Sequence, residues 1–233
     1  DAEGETVTRS YDGEGNLVAA VDRLASDIVQ TFDGNGNLTS RTDREGNTTT
    51  FTYDTENRVT QITDPDAGVT ALTYSATSRI PTSVTDPSGA VAAMTSTGGL
   101  ITSTTDPDGV TTTYTYDAAR NLTSITDGAG NTTTFVYDSA GRVTSETAPD
   151  GGVSSFVYDS AGRVTQTTDP EGGVSVSVFD DSGRLLSSTD PDGAVTAYGY
   201  DSGGRLETIT DPNGEVTTNT WSTEGDLVAV TRP

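Results

Sequence analysis

Along the chain an aromatic residue followed by a polar turn returns every 20 to 22 residues, at Tyr11, Phe32, Tyr53, Tyr74, Tyr116, Tyr137, Tyr158, Phe179, Tyr200 and Trp221, with Met94 in the one gap. Self-similarity at a fixed period of this length marks a repeat architecture. Ahead of the anchors, apolar and polar positions alternate. Phe51 and Tyr53 flank Thr52, and the pairing recurs at Tyr114 with Tyr116, Phe135 with Tyr137, Phe156 with Tyr158 and Tyr198 with Tyr200. Period-two alternation of β-branched and aromatic residues predicts strands with one aromatic face. On the return segment, Leu122 and Ile125, or Leu206 and Ile209, lie three apart. That spacing suits neither alternation nor a helix and predicts a bulge or twist. No segment reads as a helix of ordinary length, and Val18 to Ile28 is the weakest strand, an irregular terminal unit being the other reading of it.

Two kinds of punctuation separate the strands. Tyr137-Asp138-Ser139-Ala140-Gly141-Arg142-Val143 places Gly where a left-handed backbone closes a type I turn with a bulge, and Gly162, Gly183 and Gly204 stand in the same place. The second is Asp190-Pro191-Asp192-Gly193, with variants at Asp64-Pro65, Asp86-Pro87, Asp106-Pro107, Asp169-Pro170 and Asp211-Pro212. Proline presets φ for the first central residue, and Asp accepts a local backbone hydrogen bond. Each unit therefore reads strand, turn, strand, turn, and the domain is expected to be all-β over residues 1–233, eleven units of repeated antiparallel hairpins. About 22 strands at about 4.8 Å each would make a sheet about 105 Å across. Open sheets of that width curl or split, and a closed ring would be about 33 Å in diameter, too wide for side chains to fill. A spiral sheet forming a partly hollow shell or barrel follows. Val136, Val157 and Val178 put apolar side chains opposite the aromatic face as well, so neither face is expected to be simply bathed in water.

Composition by itself argues the other way. Val, Leu, Ile and Phe total 42 of 233 residues and the net charge is -23, values usual for disordered chains. The regular order of the residues outweighs that reading. Absence of Cys and His removes thiolate and imidazole chemistry, disulfides and the usual zinc sites. With 35 acidic residues against 12 arginines and no lysine, nucleic acid and anionic membranes are poor partners. No apolar stretch is long enough to span a bilayer, and Asp1-Ala2-Glu3-Gly4 lacks the features of a signal peptide. The chain is read as a segment of a longer secreted or cell-surface protein whose export signal lies elsewhere. The acidity suits a salt-adapted or extracellular protein.

Candidate chemistry sits at the turns. Asp138 with Arg142, and Asp159 with Arg163, face each other across the first turn, either as a cap with an exposed ion pair or as an inter-repeat ladder that fixes register. Asp33, Asn35 and Asn37, and likewise Asp12, Glu14 and Asn16, place oxygens at alternate positions as calcium loops do. Leu38 and Leu17 stand where such a loop needs Gly, and turn chemistry explains both segments equally well. Calcium is the one cofactor considered. Asp180 with Asp181, and Asp64 with Asp66, are carboxylate pairs, yet acids distributed once or twice per unit do not make a cleft with two distinct environments. Met94, beside Ala92 and Ala93, reads as a degenerate unit. The anchor rings read as inter-strand packing, with a sugar-stacking platform as the alternative.

The pattern Tyr-Asp-x-x-Gly-Arg-Val/Leu followed by Thr-Asp-Pro-x-Gly resembles the YD-repeat, or Rhs-repeat, family. It is carried best by Tyr137 to Val143, Tyr158 to Val164, Phe179 to Leu185 and Tyr200 to Leu206, and the resemblance extends over essentially the whole chain. Family members include bacterial Rhs and polymorphic toxins, shells of insecticidal toxin complexes, wall-associated proteins and teneurins. The resemblance implies a spiral β-shell that in toxin members encloses a C-terminal effector. The family's core motif ahead of its aspartyl self-cleavage site is absent and Trp221 occupies an ordinary repeat position, so the Asp-Pro aspartates inherit no protease role. The expected function is a structural shell segment of a toxin-like protein, not an enzyme. Its expected partners are the remainder of its own chain or adjoining shell segments, and an encapsulated toxin domain. An extracellular adhesion or glycan-binding stalk is the alternative, with a surface glycan or protein as partner, and a carboxylate hydrolase is a distant third.

Overall fold

The computed structural model describes residues 8–21 and 27–233, a run of 22 antiparallel strands from Thr8–Tyr11 to Leu227–Thr231 with no helix among them. Of the weakest expected strand, residues 18–21 and 27–28 lie in the strands Leu17–Val21 and Asp27–Phe32, and residues 22–26 fall outside the described set. Contacts group the chain into two units, Asp1–Tyr114 with Asp127–Ala129, and Thr115–Thr126 with Gly130–Pro233.

In the first unit every strand pairs with its successor, from Thr8–Tyr11 to Thr111–Tyr116. The regular two-turn alternation breaks at Met94. There the hairpin Val91–Thr97/Leu100–Thr105 closes on Gly98 and Gly99, at φ 60° and 77°, the left-handed pair that a two-residue hairpin turn needs.

In the second unit the same meander runs from Leu122–Thr126 to Leu227–Thr231. Each first hairpin has a register shift beside its aromatic anchor. Tyr200 opposes Leu206, whereas Gly199 opposes Thr208, which leaves Glu207 as the extra residue. Tyr198 opposes Ile209, so the bulge returns Leu206 and Ile209 to the aromatic face despite their three-residue spacing. Second hairpins, such as Val143–Thr147 with Val153–Tyr158, continue without that shift.

No described residue is buried. Aromatic-face side chains such as Phe156 and Tyr158 are half covered, whereas Val136 on the opposite face is 57% exposed, and Val157 and Val178 are exposed with it. The expectation that neither face is bathed in water is thus not met within this chain. Within each unit the strands form a single layer, and a single layer has nothing to lay over Val136.

Candidate functional site

The first turn is built around one carboxylate. In the second unit, Asp138 N–H donates to Arg142 O at 2.9 Å and Gly141 N–H donates to Asp138 O at 3.0 Å. Asp138 Oδ1 accepts from the amides of Ala140 and Arg142, and Oδ2 accepts from Arg142 Nε at 2.7 Å. These contacts hold the Asp138 carboxyl below its ordinary range, the Arg142 side chain first and its amide second. Gly141, Gly162, Gly183 and Gly204 close their turns at φ 78° to 86°, a region that penalises a Cβ.

The ion pair inside the turn uses Nε and Nη2 of Arg142 and leaves Nη1 for the next repeat. Nη1 donates to Asp159 O at 3.1 Å, and the guanidinium lies 4.6 Å from the centroid of the Tyr158 ring. Tyr158 answers in the opposite direction, its hydroxyl donating to Val143 O at 2.7 Å. Neighbouring repeats are therefore fastened from both sides. Arg163 pairs with Asp159, donates to Asp180 O and covers Phe179 at 4.8 Å. Arg184 pairs with Asp180 and covers Tyr200, whose hydroxyl donates to Leu185 O. Arg205 pairs with Asp201, donates to Ser222 O and covers Trp221 at 5.7 Å, while Trp221 Nε1 donates to Leu206 O at 2.9 Å. Tyr137 likewise bonds Leu122 O.

The first unit uses the same parts, divided between two neighbouring junctions. Arg58 pairs with Asp54, donates to Ser75 O and Ser78 O and lies 4.7 Å from the Tyr74 ring centroid. Tyr53 bonds Leu38 O. An exposed ion pair contributes about 0 to 1 kcal/mol, an exposed cation–π contact about 0.5 to 1 and a hydroxyl-to-carbonyl bond about 1, so a complete junction is worth about 2 kcal/mol. The Asp–Arg pair is thus both a turn cap and one end of an inter-repeat link. The missed half was the ring, whose role as a seat for the previous arginine depends on a neighbour two strands away.

The calcium candidates belong to the same turn with Asn in place of Arg. Asp33 Oδ1 accepts from the amides of Asn35 and Asn37, and Oδ2 accepts from Asn37 Nδ2. Asp12 makes the same three bonds with Glu14 and Asn16. Both carboxylate oxygens thus face the turn's own donors, and among the described residues no three acidic side chains gather as a metal site. Asn37 Nδ2 also donates to Asn57 Oδ1 at 2.7 Å, joining two turns where no arginine does. Of the carboxylate pairs, Asp180 is held by Arg184, and Asp64 Oδ1 caps its turn through the amides of Asp66 and Gly68. Among the remaining anchors, Tyr11 is 58% exposed, Phe32 opposes Leu38, Met94 opposes Thr104, and Tyr116 ends its strand.

The RHS repeat model matches the chain at residues 32–69, 57–91, 97–132, 121–153, 137–174 and 179–216. These segments cover more than half of the sequence, and the chain belongs to the RHS-repeat family. No curated protein matches it in sequence. Among solved structures it is similar to TcdB2-TccC3-TEV and to TcdB2-TccC3-Cdc42, each with TM-score 0.72 and 18% identity, over 96% and 97% of this chain respectively. It is also similar to a Tc holotoxin pore from Photorhabdus luminescens carrying a TccC3 mutation, with TM-score 0.71 and 18% identity over 97% of this chain. The chain spans 14% of the length of each of these chains and shares their fold.

Proposed function

We propose that the chain is a wall segment of a larger β-shell in a secreted or surface toxin-like protein, with no catalytic activity of its own, the whole shell enclosing or carrying an effector. The observation that carries this reading is the two-way fastener between neighbouring repeats, Arg142 reaching forward to Asp159 O and Tyr158 reaching back to Val143 O. Side chains that a catalytic or binding protein would direct at a ligand are here spent on joining one repeat to the next. The likeness to chains of a Tc holotoxin supports the toxin context. Units one layer thick, with no buried residue among those described, suit a wall whose faces are covered by other parts of a longer protein.

One observation weighs against the glycan-binding stalk. A sugar platform needs open ring faces, and Tyr158, Phe179, Tyr200 and Trp221 each carry a guanidinium over the ring. Electron microscopy of the full-length protein tests the proposal. A closed particle with an internal lumen is the expected result. An extended rod, together with glycan binding by this segment, would replace the wall with the stalk.

A further inference from the structure

Between the turns that begin at Asp117 and Asp138 the chain keeps the seat for a guanidinium and changes the residue that fills it. Asn121 stands where Arg142, Arg163, Arg184 and Arg205 stand in the repeats that follow. Its backbone N–H donates to Asp117 Oδ1 at 2.8 Å and its Nδ2 donates to Asp117 Oδ2 at 3.0 Å, so the turn is capped as before. With Nδ2 held by the carboxylate, Oδ1 faces the next turn. A Cβ at Gly141 would stand 3.5 Å from Asn121 Oδ1, just as one at Gly162 would stand 3.8 Å from Arg142 Nη1. An acceptor thus replaces a donor.

The groups that hold a guanidinium elsewhere are all in place. Tyr137 keeps its hydroxyl on Leu122 O, which seats its ring as Tyr158 is seated by Val143 O. Asp138 O accepts from Gly141 N–H, and the second donor that Asp159 O receives from Arg142 Nη1 has no counterpart here among the described residues. Asp117 brings a charge that its turn answers with a neutral amide, where Asp138 has a cation. A cleft of about 600 Å³ lies between the two turns, with Asp117, Asn121, Tyr137, Asp138 and Gly141 in its lining. Beside Arg163 the corresponding cleft is about 460 Å³ and ends at Phe179, short of the Asp180 turn. The other junction that pairs Asn with a tyrosine is bridged from within. There Asn37 Nδ2 also donates to Asn57 Oδ1, and Asn57 holds the place of Gly141. Gly141 has no side chain to offer Asn121, so the junction at Tyr137 stays open.

We propose that this cleft is a binding site for the guanidinium group of an arginine side chain presented by another polypeptide. The guanidinium plane covers the Tyr137 ring, its donors serve Asp138 O and Asn121 Oδ1, and its charge answers Asp117. Arg142, Arg163 and Arg205 define this occupant, since each already holds a guanidinium against a ring and a turn carbonyl of the same kind. A lysine lacks both the plane and the fork, and a citrulline has nearly the same shape without the charge. The inference holds for a wall and for a stalk alike.

The test is an NMR titration of the isotope-labelled full chain with a glycine-flanked, end-capped arginine peptide and with its lysine and citrulline counterparts. The arginine peptide is expected to shift the Gly141 amide and the Asn121 side-chain amide with a dissociation constant of about 1 to 10 mM, the lysine peptide to bind at least about fivefold more weakly, and the citrulline peptide to leave both signals in place. Asn121→Arg fills the site from within and is expected to abolish the response. The Gly162 amide, whose junction already holds Arg142, is expected to stay unmoved throughout. Equal shifts with the lysine or citrulline peptide, a response that survives Asn121→Arg, or no shift at Gly141 with the arginine peptide would overturn the proposal.

Discussion

Arg142 and Tyr158 are sixteen residues apart and are joined once directly and once through Val143. The guanidinium lies 4.6 Å from the ring centroid, and the ring's hydroxyl bonds the carbonyl of Val143, the residue that follows the arginine. Each residue thereby fixes the place of the other's repeat. Within each unit the sheet is one layer thick and no described residue is buried, so coupling between neighbours supplies the cooperativity that a core would give. The joints that carry it are legible residue by residue.

Phe179 occupies the position at which Tyr158 and Tyr200 bond Val143 O and Leu185 O. It lacks the hydroxyl that would bond Val164 O. Phe179→Tyr is expected to stabilise the chain by about 0.5 to 1.5 kcal/mol, measured as a higher urea midpoint at unchanged m. A lower midpoint would show that the hydroxyl does not fit at this junction.

Arg163 uses one nitrogen on Asp159, another on Asp180 O and its planar face on Phe179. Lysine offers a point charge with neither a fork nor a flat face. Arg163→Lys should therefore cost about 1 kcal/mol or more, although it conserves charge. Equal melting of the two proteins would reduce the contact to simple electrostatics.

Backbone conformation separates two small substitutions. Gly183 has φ 86°, and a Cβ there would stand 3.3 Å from Arg163 Nη1. Gly183→Ala is expected to destabilise by about 1 to 2 kcal/mol. Ala67 holds φ 64° in a second turn, so Ala67→Gly removes a strain of similar origin and is expected to raise stability by up to about 1 kcal/mol. Thermal melting of the pair should move in opposite directions.

Asp159 titrates below its ordinary value, held there first by the Arg163 amide and then by the Arg163 side chain against a desolvation that opposes both. The unfolded chain binds the proton more readily, near pH 3.9. Its contribution to stability is therefore complete above about pH 4 and declines as pH falls through the lower folded value. The stability difference between native protein and Asp159→Asn should be flat from pH 5 to 8 and shrink below pH 4. A difference that grows on acidification would reverse the assignment.

Much of this architecture was open to reading from residue order. Asp138 to Gly141 spells its turn because Gly alone takes the left-handed position freely. Leu206 and Ile209, three apart, imply a bulge, and Glu207 is its extra residue. The junctions were harder to see. Nothing local marks Tyr158 as the seat of Arg142, because that contact depends on two strands being laid side by side with a defined register. Pairing Asp138 with Arg142 accounts for Nε and Nη2, and only the lateral neighbour explains Nη1 and the planar face of the guanidinium. The candidate loop at Asp33 was open to two readings for a related reason. An Asx turn and a calcium loop share alternate oxygens, and they differ in whether the oxygens face the turn's own amides.

The most direct measurement is a double-mutant cycle on Arg142→Met and Tyr158→Leu in the full chain, read by urea unfolding. If the two residues fasten neighbouring repeats, the double variant should be more stable than the sum of the single losses implies, with a coupling of about 1 kcal/mol. Losses that add within about 0.3 kcal/mol would mean that the arginine and the ring act alone, contradicting the fastener on which the wall reading rests.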